Sequence, residues 1–183
     1  MIDLRDIAHS LSMQARFAGH TRDFYSVAEH CVRVSMACAR TDALWGLLHD
    51  AAEAYLTDMP KPIKEQMPEF VAAENALLVV IAQAFKLPAV IPASVHRADR
   101  LLLNTEARDL FANTPEWADK VNVQSIRIRP LGNRAAESWF LQRYKDLTRV
   151  RIDAASKALE GGTNVTAAYL LGVNKTDIDR IAS

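Results

Sequence analysis

The chain has 183 residues, half of them apolar and about a quarter charged, the size and make-up of one globular domain with a single sizeable core. Lysine plus arginine equals aspartate plus glutamate, 22 against 22, so there is no global positive field to hold a long nucleic acid or an anionic membrane surface. A small anionic ligand needs only a local basic patch, which overall neutrality leaves open.

Few glycines and a recurring apolar spacing of three to four residues predict an all-α fold, with every candidate site carried on helices. Ile2, Leu4, Ile7, Ala8 and Leu11 form a first amphipathic stripe, and a polar, glycine-containing segment from Phe17 to Phe24 interrupts it. Ser26 has the character of an N-cap, with Glu29 at the capping-box position, opening a helix that carries Val27, Cys31, Val34 and Cys38. Cys31 and Cys38 lie about 10 Å apart along such a helix, too far for a mutual disulfide, and are expected as buried thiols in a reducing compartment.

Thr41 or Asp42 is placed to cap the next helix, Ala43 to Tyr55, which is almost wholly apolar and therefore expected at the centre of the bundle. Pro60, Pro62 and Pro68 predict a loop around Lys61 and Lys64 before helical spacing resumes from Phe70 to Phe85. Pro88 and Pro92 break it, and Ala93 to Phe111 reads as a further helix. Val121 to Pro130 fits either a short strand or an extended loop, and Arg134 to Val150 fits a helix. The expected division is a domain over residues 1–150 and a C-terminal extension over 151–183, in which Gly161-Gly162 precedes a weak pattern from Ala167 to Ile181 suited to packing or an oligomer contact. The longest apolar stretch, Ala76 to Ala82, is far short of a membrane span, and the first six positions lack the apolar run of a signal peptide. The protein is expected in the cytoplasm.

The strongest chemical signal is His49-Asp50 on this otherwise apolar helix. An imidazole and a carboxylate at adjacent positions, about 100° apart, can both reach an ion at the helix edge. A hydrogen bond between the two, or an arginine partner for the aspartate, would explain the pair equally well. Glu53 lies three and four positions further on, so three polar groups crowd one side of the helix unless a cation or buried base collects them. A carboxylate in that position can orient and deprotonate a water, and its alternative role is that of an exposed helix glutamate. Asp58 fits either an assisting acid or a turn cap before Pro60.

His30 supplies a second imidazole from the preceding helix and Asp99 a second carboxylate from a later one. Such a mixed nitrogen and oxygen set suits one divalent transition metal, Zn, Mn, Co or Fe(II), and leaves positions open for water and phosphate; Mg is a candidate second ion. Arg16, Arg22, Lys61 and Lys64 flank the ligands and could clamp phosphate oxygens, although each also fits a solvent-facing role. Phe17, Phe24 and Tyr25 could form a wall for a base or sugar, or pack the first loop onto the core.

The order His, His-Asp, Asp on separate helices resembles the HD-domain phosphohydrolase superfamily. More closely, Ser26-Val-Ala-Glu-His30, Leu48-His49-Asp50-Ala-Ala-Glu53-Ala54, Thr57-Asp58-Met-Pro60-Lys-Pro62-Ile-Lys64 and Arg97-Ala98-Asp99 resemble the YfbR-type 5′-deoxynucleotidases and the viral dATP triphosphohydrolases, over roughly residues 14 to 110. The resemblance implies an HD helical bundle, usually a homo-oligomer, with the metal on His30, His49, Asp50 and Asp99. It implies that Glu53 positions the attacking water, that Asp58 assists near the scissile phosphate, that Arg16 and Lys64 contact phosphate, and that Phe17 lies against the sugar. The family pattern has tryptophan where Phe17 stands, so deoxyribose selection is not implied; it has lysine where His96 stands, which implies a weaker, pH-dependent phosphate contact from His96; and Ala18-Gly19-His20 lacks the bulky apolar residue of the viral enzymes, so base selection is not implied. The reaction expected is hydrolysis of a phosphate ester in a (deoxy)nucleotide, either a monophosphate to nucleoside plus phosphate or a triphosphate such as dATP to nucleoside plus triphosphate. The alternatives are a non-catalytic nucleotide-binding or signalling module, which has no need of Glu53, and a structural helical protein, which would bind no metal.

Overall fold

The computed structural model describes residues 2–160. Its helices are α1 (Leu4–Met13), α2 (Val27–Ala37), α3 (Ala43–Leu48), α4 (Glu53–Leu56), α5 (Lys61–Lys64), α6 (Pro68–Ala84), α7 (Ala93–Leu110) and α8 (Asn133–Glu160). No β-strand occurs among the described residues beyond an isolated bridge between Ala15 and Ser26, so the fold is all-α. No helix there is long and apolar enough to cross a membrane.

α2 is the axis of the bundle, packed by α1, α3, α7 and α8. Its apolar residues divide between two clusters. Val27, Ala28, Cys31 and Val32 join Ile7 and Leu11 of α1, Leu47 and Leu48 of α3, Ile81 of α6 and Phe140 of α8. Val34 joins Trp45, Val95, Ala98 and Leu102 on the α7 side. The site lies where the α2, α3 and α7 faces meet. Every residue of α3 is buried, as its uniform apolarity predicts. Gly46 permits that burial, because a Cβ there would stand 2.8 Å from Cys38 Sγ and 2.9 Å from Ser35 Cα. Cys31 and Cys38 are free thiols.

The structure departs from the sequence reading in several places. The helix expected from Ala43 to Tyr55 is two helices joined by a tightened turn. There the amides of Ala51, Glu53 and Ala54 donate three residues back, to Leu48, Asp50 and Ala51, at 3.0, 2.9 and 3.3 Å. These shorter-range bonds tighten the chain between Asp50 and Glu53 relative to an α-helix. Asp42 stands at the N-cap position of α3, as one of the two expected candidates, but its side chain makes no cap hydrogen bond: Arg40–Asp42 is a 3₁₀ turn, and the Asp42 carboxylate accepts from Ser94 and Thr41. Only half of the capping box at α2 forms. Ser26 Oγ accepts from the Glu29 amide at 3.1 Å, but the Glu29 carboxylate accepts from Arg33 and from the Leu131 amide, tying α2 to the entry of α8.

Lys61 and Lys64 lie on a helical turn, with Pro62 near its start where a missing amide hydrogen does no harm, and not in an open loop. Val121 to Pro130 is the extended loop: Val121 and Ile126 are exposed, and Ile128 alone is buried. Thr105 Oγ1 and the Asp109 carboxylate of α7 hold it by accepting from the amides of Gln124 and Ile128. α8 passes through position 150 to Glu160 without interruption, so the expected division falls inside a helix. Gly161-Gly162 and the pattern from Ala167 to Ile181 lie outside the described residues.

Candidate metal centre

The Ser26 cap starts α2 so that His30 falls on its buried face, fully enclosed. Its Nδ1 donates to Glu106 Oε1 at 2.6 Å, which turns Nε2 toward Asp99 Oδ1 at 3.2 Å and Asp50 Oδ2 at 3.6 Å. His49 closes α3, and its Nδ1 donates to the Gly46 carbonyl at 2.9 Å while Nε2 stands 3.3 Å from Asp50 Oδ2. The two rings are 5.3 Å apart. In each histidine one nitrogen is fixed by a hydrogen bond, and the other is buried without one. Ligating histidines are oriented in this way, with the outer nitrogen anchored and the inner one directed at the ion.

One ligand atom from each of His30, His49 and Asp99 falls within 4.8 Å of the other two, and Cys31, His49 and Asp50 form a second such set. These side chains could hold a metal ion. The bare inner nitrogens fit a ligand role.

The electrostatics agree with that fit. Burial, reinforced by Asp50 and Asp58, holds the Glu53 carboxyl well above the usual glutamate range. Its Oε2 is buried with no hydrogen-bond partner. Burial likewise raises Asp58, with Asp50 adding to the effect and Arg16 opposing it. Burial would raise Asp99 too, but the adjoining His30, then His49 and Arg16, outweigh it and hold this carboxyl well below the usual range. Burial and Arg16 both oppose a charge on His30, yet Glu106 and Asp99 push it up to about 9. The raised Glu53 and Asp58 carboxyls mark a crowding of acids that a dication would relieve.

Several expected substrate contacts converge here and others do not. The Arg16 guanidinium lies 3.7 Å from Asp50 and 3.9 Å from Asp99, anchored by Glu106 at 3.1 Å. Lys64 Nζ lies 3.6 Å from Glu53 and 2.7 Å from Glu74. Phe17 adjoins the site through Arg16, whose Cζ sits 5.2 Å from its ring centre. Arg22 is instead committed to the end of α7, donating to the Asp109 carbonyl at 2.7 Å. Lys61 is solvent-facing and pairs loosely with Glu65 one turn away. His96 is exposed on α7, one turn before Asp99. Phe24 is exposed, and Tyr25 is wholly buried as a donor to Glu106 at 2.8 Å, so of the two alternatives Tyr25 takes core packing.

Three residues at the site escaped the sequence reading. Glu106, with no exposure, accepts from His30, Tyr25 and Arg16. It follows Asp99 by two helical turns, and that spacing on α7 was the signal available. Gln14 bridges the backbones of Glu53 and Asp58, donating to the Glu53 carbonyl at 3.0 Å and accepting from the Asp58 amide at 3.0 Å. Glu74 holds Lys64; nothing local in the sequence pairs them.

No family model matches the chain. It is similar to the uncharacterized protein YfdR of Escherichia coli strain K12, 36% identical over 154 residues, which cover 82% of this chain and 86% of YfdR. It is also similar to the uncharacterized protein RCAP_rcc00048 of Rhodobacter capsulatus, 36% identical over 152 residues, covering 70% of this chain and 78% of that protein.

Proposed function

Given that the chain belongs to one family with YfdR and RCAP_rcc00048, and given its His and Asp cluster, we propose that it is a metal-dependent phosphohydrolase of the HD type that cleaves a phosphate ester in a nucleotide. The observation that carries the reading is the pair of anchored imidazoles whose inner nitrogens are buried, bare and flanked by Asp50 and Asp99, with the equally bare Glu53 Oε2 nearby. The resemblance of the ordered motifs supplies the reaction class.

His30, His49, Asp50 and Asp99 would hold the cation. When bound it acts as a Lewis acid on the phosphate and eases loss of a proton from water. Glu53, whose ionised form the field of a bound cation would favour, orients the attacking water and takes its proton at Oε2, which is buried without a hydrogen-bond partner. Arg16, beside Asp50, and Lys64, beside Glu53, offset charge on the phosphate oxygens. Asp58, which burial keeps more protonated than an ordinary aspartate, gives a proton to the departing alkoxide. Enclosure of His30, His49 and Glu53 limits bulk water at the reacting centre.

The experiment is metal analysis of the purified protein, followed by incubation with dAMP and with dATP in the presence of Mn or Co and identification of the inorganic product. Phosphate from dAMP or triphosphate from dATP is expected, and the one formed assigns the substrate. Glu53→Gln should abolish turnover while metal is retained. Failure of the parent to bind a stoichiometric cation, or unchanged turnover in the variant, defeats the reading.

A further inference from the structure

Beside the acidic cluster stands an aromatic group that the mechanism does not use. Phe17 and Ala18 have φ of 56° and 50°, left-handed backbone that is costly for side chains bearing a Cβ. That turn directs the Phe17 ring against Phe111, edge-on at 5.1 Å, and against Trp117, near-parallel at 6.4 Å and 26°. Phe111 in turn braces Trp117 edge-on at 6.2 Å. Trp117 is nevertheless 56% exposed, although it is the most costly of side chains to leave in water. A braced indole open to solvent, linked to the cluster through Phe17 and Arg16, is a surface made for a flat partner.

We infer that Trp117, supported by Phe111, is the residue that binds the base of the substrate by stacking. The inference rests on the phosphohydrolase reading, which places the phosphate between Arg16 and Lys64. Phe17 touches Arg16 at 5.2 Å and Trp117 at 6.4 Å, a run of contacts along which a sugar and then a base can lie. Every base has a π-face, so stacking gives affinity for nucleotides over other phosphate esters and little choice among the bases.

The test compares the parent, Trp117→Ala and Trp117→Phe on the four deoxynucleotides of the reactive class and on deoxyribose 5-phosphate, which has the same ester without a base. Trp117→Ala should raise KM for all four nucleotides by about tenfold to a hundredfold. It should leave kcat for the nucleotides and kcat/KM for deoxyribose 5-phosphate unchanged. Trp117→Phe should recover most of the loss. Equal losses on the base-free ester, or no change in nucleotide KM, overturn the inference. A separate arm adds deoxyadenosine to the parent and to Trp117→Phe and follows tryptophan fluorescence. Quenching only in the parent supports the platform even if no nucleotide is hydrolysed, and absence of quenching in a protein that hydrolyses nucleotides overturns it.

Discussion

Glu106 is the residue that holds both His30 and Arg16 in place, and Glu106→Gln tests that directly. Its fully buried carboxylate accepts from His30 Nδ1 at 2.6 Å, Tyr25 Oη at 2.8 Å and Arg16 Nε at 3.1 Å. A glutamine of the same shape offers one carbonyl oxygen and an amide nitrogen that can only donate, so at least one of the three donors is left facing another donor. Loss of a charged hydrogen-bond acceptor in the interior costs about 1.5–3 kcal/mol of folding free energy. Loss of the partner that orients a ligating histidine weakens metal affinity by about 10- to 100-fold. At a cation concentration about 100 times the parent's Kd, binding stabilises the parent by about 2.7 kcal/mol, and the same concentration stabilises the variant by only about 1.4 to 0.4 kcal/mol. Urea unfolding with and without Mn measures both quantities, and calorimetric titration gives the Kd independently. A folded Glu106→Gln protein that binds Mn as tightly as the parent refutes the assignment of Glu106 as the anchor of His30.

The close approach of α2 and α3 predicts that Gly46→Ala destabilises the protein by about 1–3 kcal/mol in urea unfolding, since the new Cβ meets the Ser35 backbone at 2.9 Å and not merely a movable side chain. Unchanged stability would show that the contact relaxes freely. Asp109 gives a prediction in pH. Burial alone would raise its carboxyl, but Arg108, the Ile128 amide and Arg127 outweigh that and hold it below the usual aspartate value of 3.8. A depressed carboxyl stabilises the fold above its unfolded value and loses that contribution as pH falls through the lower folded value. Asp109→Asn should therefore be less stable than the parent in urea at pH 7, with faster amide exchange at Ile128, and the stability gap should close in acid below 3.8. A gap that persists unchanged in acid would exclude the ionised carboxylate as its cause.

The helical class and the positions of most helices were legible because they depend on local periodicity. α6 and α7 begin and end within two residues of the apolar pattern and proline breaks that mark them. His49, Asp50 and Glu53 stood out as polar residues in an apolar run, a contrast that needs no partner to be seen. The reading failed where local chemistry had two outlets. Asp42 could cap α3 but is engaged by Ser94 from α7, and Arg22 could face a phosphate but ties the first loop to Asp109.

The sequence by itself determined the kind of groups available and the helices that carry them, since side-chain chemistry and helical period are properties of short stretches of chain. Packing alone decided their orientation. His30 and Glu106 are 76 positions apart, and only the crossing of α2 and α7 turns the imidazole so that one nitrogen is anchored and the other faces Asp99. The tightened turn after α3 likewise set the spacing between Asp50 and Glu53. No periodicity encodes these arrangements, because each is fixed by steric and electrostatic terms between elements that meet only in the folded chain.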